Sequence, residues 1–246
     1  MSQLTEKDFL DIKDEIRNGR LSPGSIRVFL GAFMFFSLIM VGIAYMGVAA
    51  SNSVIGWEKL SIFWQTVFKL QAILFVFQLV LIFLVRGKNN WSQILLTISY
   101  VFYTYKMVLD PFVMTLIYTK DQGVYEVYAP LVILIIILGF LFHIFFIIHY
   151  FKDLKKGNKN KEARENKSNS KLIAFTPFLF LLVGITGYII RNDLLGDTDI
   201  LFFLAIDVFL LVAIMIGAVE FVMGAYCVIR FPSFRVNPPS TKKKNA

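Results

Sequence analysis

The sequence predicts an all-α, polytopic membrane protein with six transmembrane helices and with the N-terminus and C-terminus both cytoplasmic. Three observations predict this class. The chain of 246 residues is 57% hydrophobic and 17% charged, whereas soluble domains carry about a quarter charged residues. Its apolar residues form six long runs, and its positive charge is divided unevenly among the segments that join them.

The six apolar runs are each long enough to cross a bilayer as a helix. About 20 helical residues span a hydrocarbon core of about 30 Å. The runs are continuous rather than alternating, which favours helices over the strands of a barrel. The predicted transmembrane helices lie near 28–50, 61–85, 93–119, 128–150, 172–190 and 200–229. Together they form one transmembrane domain over residues 28–230.

The Lys and Arg residues predict the orientation of these helices, because basic residues near helix ends are retained in the cytoplasm during insertion. The arm at 1–27 carries five, the turn at 86–91 two, the loop at 151–171 eight and the tail from Arg230 onward five. The linkers on the other side carry only Lys59, Lys120 and Arg191. This topology accounts for the net charge of +8 without nucleic acid. The basic loops would also attract anionic lipid headgroups.

The segments outside the apolar runs have distinct patterns. Residues 5–18 predict a short amphipathic helix on the cytoplasmic surface with Thr5 as its N-cap, and a solvated arm is the alternative. The predicted apolar face consists of Phe9, Ile12 and Ile16. The loop at 151–171 has no apolar face, and the tail at 231–246 contains three prolines and three lysines, which predicts flexible basic segments.

Charged side chains inside the apolar runs are the first candidate functional groups, because each costs about 2.5–3.5 kcal/mol at a helix centre. Lys69, Asp110 and Asp207 lie at similar predicted depths, roughly 10–14 Å below the outer surface at a helical rise of about 1.5 Å per residue. The second and third helices are joined by a short turn and are predicted to be close neighbours. We therefore expect an ion pair between Lys69 and Asp110.

A polar stripe follows one face of the third helix. Its members fall within about 60° of one another at 100° per residue, and they are Ser92, Ser99, Tyr103, Lys106 and Asp110. Pro111 predicts a kink, because its nitrogen has no hydrogen to donate to Met107. The predicted intramembrane polar cluster consists of Lys69, Ser99, Tyr103, Lys106, Asp110 and Asp207. Three interpretations remain open for it: cohesion of the helices, the wall of a solvent or ion pathway, or a docking site for another membrane protein.

A second pair of titratable residues lies nearer the cytoplasmic ends of the helices. His143 in the fourth helix and Glu220 in the sixth have similar predicted depths, and their contact would take up or release a proton near neutral pH. A protonated Glu220 without His143 is the alternative. Ala213 and Gly217 have the small-xxx-small spacing that predicts close packing of two helices.

Catalytic signatures are missing from the sequence. His143 and His149 are six residues apart and do not form the i,i+4 pair of a zinc protease. The chain has no serine-hydrolase elbow, no P-loop and no dinucleotide-binding turn. We therefore expect no catalytic residue, no cofactor, no metal site and no nucleic-acid partner.

The sequence is compatible with two functions. The preferred one is a bacterial plasma-membrane protein that binds another protein, either as a secretion accessory or as an immunity protein against a membrane-acting toxin. The abundance of Ile, Phe, Lys and Asn is compatible with an AT-rich bacterial genome. The alternative is a small transporter, channel or permease subunit that uses the polar stripe of the third helix. The short turn at 86–91 argues against an exporter subunit that grips a separate ATPase.

Overall fold

The computed structural model describes residues 5–49, 55–155 and 198–237. These residues form helices joined by short connections, and no strand occurs among them. The helices are α1 (Leu10–Arg17), α2 (Pro23–Ala49), α3 (Gly56–Lys59), α4 (Ile62–Leu84), α5 (Asn90–Asp121), α6 (Tyr125–Lys155) and α7 (Thr198–Arg230). One 3₁₀ turn precedes α1 at Glu6–Phe9, and another follows α7 at Pro232–Phe234.

Four helices are long and apolar enough to cross a membrane. The qualifying stretches are Pro23–Ala49, Ile62–Leu84, Tyr125–Lys152 and Asp199–Arg230. They match the first, second, fourth and sixth predicted runs, so the all-helical membrane class is confirmed at this level. The count of six and the cytoplasmic termini stay predictions. The predicted helix at 172–190, most of the loop at 151–171 and most of the tail at 231–246 lie outside the described residues.

The third predicted run forms α5, the central helix of the bundle. Its 32 residues extend about 48 Å at 1.5 Å per residue. α2, α6 and α7 all pack against α5, and fifteen of its residues are buried, most of them polar or aromatic. α5 continues through the buried Pro111 to Asp121. Polar residues in this helix are therefore enclosed by more apolar helices.

The short turn between α4 and α5 does not make these two helices the closest pair. α4 lies against α2, and it reaches α5 mainly through side chains. Gly87 in this turn has a φ of 67° and contacts the start of α2, where an added Cβ would lie 2.4 Å from the Cβ of Pro23. The prediction of close α4–α5 packing is therefore corrected, because α2 provides the main contact for both helices.

The N-terminal arm folds against one end of the bundle, which we call the basal end; it also carries the α4–α5 turn and residues 231–237. Thr5 caps the first turn, and its N–H donates to the Asp8 carboxylate at 2.7 Å. Phe9, Ile12 and Ile16 are buried in one cluster with Phe234 and the last turns of α7. The arm is thus packed onto the bundle rather than solvated, and the opposite end is called the distal end.

Candidate functional site

Asp110 is fully buried on α5 and is held by side chains from three helices. Its Oδ2 accepts a hydrogen bond from Lys106 Nζ at 2.8 Å, one turn earlier on the same helix. The same oxygen accepts a short hydrogen bond from the hydroxyl of Ser37 on α2. Its Oδ1 accepts from Gln71 Nε2 of α4 at 2.8 Å. Both carboxylate oxygens are therefore occupied, and the contacts join α2, α4 and α5.

Lys106 is also removed from solvent, with a side chain only 5% exposed. Its Nζ lies 4.5 Å from the centre of the Phe75 ring of α4, a cation–π geometry. A buried charge is costly unless it is paired, and the Lys106–Asp110 pair is neutral as a unit. We call Ser37, Gln71, Phe75, Lys106 and Asp110 the Asp110 cluster. It combines an ion pair within α5 with neutral partners from the two neighbouring helices.

The predicted ion pair between Lys69 and Asp110 is wrong. Lys69 lies on the exposed face of α4, whereas Gln71 lies on the buried face and reaches Asp110. Two positions along a helix rotate a side chain by about 200°. The prediction rested on similar depths in the membrane, and depth does not determine which face of the helix a residue occupies.

Asp207 on α7 belongs to a separate polar contact. It is 1% exposed, and its Oδ2 accepts a hydrogen bond from the Thr115 hydroxyl of α5 at 2.7 Å. Thr115 lies five residues beyond Asp110, which is about 7.5 Å along the helix. None of the ion pairs found within the described ranges involves Asp207. The predicted single cluster is therefore divided into two sites, one at Asp110 and one at Asp207, and the exposed Lys69 belongs to neither.

Tyr103 and Ser99 lie on the buried side of α5, as the helical spacing predicts, whereas Ser92 is half-buried. Tyr103 donates its hydroxyl to the Leu74 carbonyl of α4 at 2.7 Å. Ser99 is 6% exposed, and Ser92 sits at the start of the helix, where its N–H donates to the Asn89 side chain at 2.7 Å. Because Ser99, Tyr103, Lys106 and Asp110 are all buried, this face of α5 is packed against neighbouring helices.

The predicted contact between His143 and Glu220 is also wrong. Both ring nitrogens of the buried His143 are occupied at 2.8 Å, Nε2 by the Tyr105 hydroxyl and Nδ1 by the Met215 carbonyl. A carbonyl only accepts, so Nδ1 carries a proton. Glu220 instead binds Arg20, with Nη2 and Oε2 2.5 Å apart. Met215 and Glu220 are five positions apart, about 140° around α7, and therefore face different neighbours.

Ala213 and Gly217 do not mark a close helix contact among the described residues. Both lie on the exposed face of α7, and a Cβ added at Gly217 would meet nothing within 4 Å. The close approach lies at Gly139 of α6, where an added Cβ would be 2.5 Å from Leu211 of α7. Small-residue spacing alone does not reveal which face of a helix is packed.

Three neutral polar residues of the interior were not predicted from the sequence. Ser37 and Gln71 bind Asp110, and Gln78 donates to the Leu30 carbonyl of α2 at 2.8 Å. The available signal was the spacing of Gln71 and Gln78, two amides seven positions apart on one face of an apolar run. In α4 these uncharged amides mark the buried face, whereas the charged Lys69 lies on the exposed face.

Within the ranges described, no group of three or more His, Cys, Asp or Glu side chains is placed to hold a metal ion. No protein-family model, curated protein or solved structure matches this chain. Its function is therefore inferred from the arrangement of its own residues.

Proposed function

We propose that the chain crosses the plasma membrane of a bacterium six times, with both termini in the cytoplasm. The charge asymmetry supports this topology, since the basal end carries the basic arm and the Arg86–Lys88 turn. A membrane-impermeant thiol reagent on intact cells tests the topology. We expect it to label a cysteine placed at Lys59 and to leave one placed at Lys88 unlabelled. Labelling of the cysteine at position Lys88 would show that the basal end faces outward, and it would contradict the proposed orientation.

Within that membrane, we propose that the protein acts by binding another protein, as a secretion accessory or as an immunity protein against a membrane-acting toxin. The pairing of both charged groups in the Asp110 cluster carries this proposal. A transport site must exchange its partners, whereas both Asp110 oxygens and the Lys106 ammonium have partners inside the bundle. The Lys106–Asp110 pair then holds the helices together, and the function belongs to the protein surface.

The basal end supports a binding role because it is built as one fixed surface. Arg17 donates to the Ser233 carbonyl at 3.3 Å, and the Ser233 hydroxyl donates to Glu6 at 2.5 Å. Asn90 and Asn237 exchange hydrogen bonds at 3.0 and 3.2 Å. A surface fixed in advance loses less conformational entropy when it binds a partner.

A small cavity near the distal end agrees with the proposed protein-binding role. A cavity of about 120 Å³ lies between α2, α5 and α7. Its lining is mostly apolar and includes Ile43, Met114, Ile117, Tyr118 and Phe203. Sites that bind drug-sized molecules are usually about 300–1,000 Å³, so this cavity is too small for one.

A small transporter, channel or permease subunit is the second candidate, and Asp207 favours it. This buried carboxyl receives a hydrogen bond from Thr115, and it has no ion-pair partner in the described part of the chain. Ionisable residues inside the membrane often mark ion or proton pathways. The two proposed functions therefore predict different effects of substituting Asp207.

Protection of cells separates the two candidates. The chain is expressed alone in a bacterium that is sensitive to a membrane-acting toxin, and the cells are then challenged with that toxin. We expect protection by the wild type and equal protection by Asp207→Asn. Proton-driven solute flux in proteoliposomes that Asp207→Asn abolishes, at unchanged protein level, would overturn the binding role and support the transporter.

A further inference from the structure

A groove at the basal end lies between the last turn of α4 and the first turns of α5. Its volume is about 550 Å³, within the range of about 300–1,000 Å³ that is usual for small-ligand sites. The lining is divided by chemistry. Leu84 and Leu95 belong to the helices, Arg86 and Lys88 belong to the turn between them, and Trp91 lies beside them.

The two cations of this groove have no counter-charge in the described part of the chain. Arg86 and Lys88 are both exposed, and neither takes part in an ion pair there. Like charges two positions apart repel each other. By contrast, Lys13 and Arg20 at the same end of the bundle each contact a glutamate. An anion bound in the groove would remove the repulsion.

The backbone of the turn is nevertheless held in one conformation. Gly87 has a positive φ and lies against Pro23. Asn237 donates from its side chain to the Lys88 carbonyl at 3.1 Å and pairs with Asn90. The charges are thus presented from a fixed frame, which lowers the entropic cost of binding a ligand.

The apolar and aromatic residues place the groove at a membrane surface. Leu84 is the last residue of α4 and is 74% exposed, and Trp91 is 82% exposed. Trp is enriched where hydrocarbon meets headgroups, and basic residues beside helix ends attract anionic lipids. Cations at headgroup level above exposed apolar side chains match the two parts of a phospholipid.

We propose that this groove binds one anionic phospholipid, with its phosphate at Arg86 and Lys88 and its acyl chains along Leu84 and Leu95. The proposal requires a membrane-embedded bundle but does not depend on the binding or transport roles above. Since each basic residue near the surface contributes about a fivefold change in lipid affinity, loss of both should weaken binding by about 25-fold.

Fluorescence quenching tests the proposal with Trp91 as the probe. The full chain carrying Trp57→Phe and Trp64→Phe, two substitutions at the distal end, is placed in phosphatidylcholine vesicles with increasing brominated phosphatidylglycerol. We expect quenching to saturate at a low fraction of the anionic lipid. The added pair Arg86→Gln and Lys88→Gln should require about 25-fold more of it. The matched pair Lys59→Gln and Lys120→Gln at the distal end should change nothing.

Three results would overturn the site. Equal quenching by brominated phosphatidylcholine would show only bulk lipid contact. Unchanged quenching in the Arg86→Gln and Lys88→Gln variant would remove the cations from recognition. Release of the quenching by inorganic phosphate would assign the groove to a soluble anion. If the tryptophan substitutions prevent folding, native mass spectrometry of the chain with all tryptophans intact provides the same comparison. It counts the phosphatidylglycerol molecules that the chain retains with and without Arg86→Gln and Lys88→Gln.

Discussion

α5 and α6 are almost equal in length, yet they use their residues in opposite ways. α5 has 32 residues and buries charged, hydroxyl and amide side chains, whereas α6 has 31 residues and exposes aliphatic and aromatic side chains along most of its length. Composition alone qualifies α6 as a membrane-crossing helix and does not qualify α5. A bundle in lipid thus gathers its polar groups onto a helix that other helices shield, because lipid offers those groups no partners.

The variant with the largest expected effect on stability breaks the charge pair of α5. Asp110→Ala leaves the Lys106 ammonium buried without its carboxylate, and loss of one partner of a buried pair costs about 3–5 kcal/mol. We expect a large drop in the midpoint of thermal unfolding of the purified protein in detergent. Lys106→Met combined with Asp110→Asn removes both charges and should recover much of that loss.

Lys69→Gln is the matched control for the charge-pair variant, because Lys69 is charged and exposed on α4. It should leave the midpoint unchanged. If Lys69→Gln lowered the midpoint as much as Asp110→Ala, burial would not explain why the Asp110 charge matters for stability.

A second test acts on the packing of α6 through Gly139. Gly139→Val places atoms where Leu211 already lies, 2.5 Å from the added Cβ, and overpacking of this kind costs about 1–3 kcal/mol. The unfolding midpoint should fall, and Leu211→Ala should restore part of it. Gly217→Ala on the open face of α7 should be neutral, and a comparable loss there would contradict the packing described.

A third test removes a neutral partner of α5. Gln71→Leu deletes the hydrogen bond to Asp110 Oδ1 and leaves the Lys106–Asp110 pair in place. Hydrogen bonds between membrane helices contribute about 0.6 kcal/mol on average. We expect a small loss of stability measured by denaturant titration. A loss as large as that of Asp110→Ala would mean that the amide, rather than the lysine, compensates the carboxylate.

The smallest effect concerns pH at the basal end, outside the transmembrane helices. Hydrogen bonds from the Ser233 hydroxyl and then from Lys13 hold the pKa of the Glu6 carboxyl below its usual value of 4.5. A lowered folded-state pKa stabilises the arm above the unfolded-state pKa, and that contribution is lost as the pH falls through the folded-state value. The protection factors of the α1 amides against hydrogen exchange should therefore fall as the pH drops below 4.5, and Glu6→Gln should flatten this response.

The sequence predicts the apolar helices better than it predicts the site. Run length and composition locate α2, α4, α6 and α7, because both are properties of a single segment. Spacing on α5 also identifies the buried face that carries Lys106 and Asp110. Partners such as Ser37 and Gln71 depend on how three helices rotate against one another, and no single segment contains that information. The expectation for Lys69 failed for this reason.

The packing of the arm onto the basal end has a consequence during synthesis of the chain. Phe9 lies 5.7 Å, between ring centres, from both Tyr226 and Phe231, which are made about 220 residues later. At about 5–20 residues per second, a ribosome needs roughly 10–40 s to produce those partners. Phe9 therefore lacks these two aromatic partners until the last turns of α7 have been synthesised.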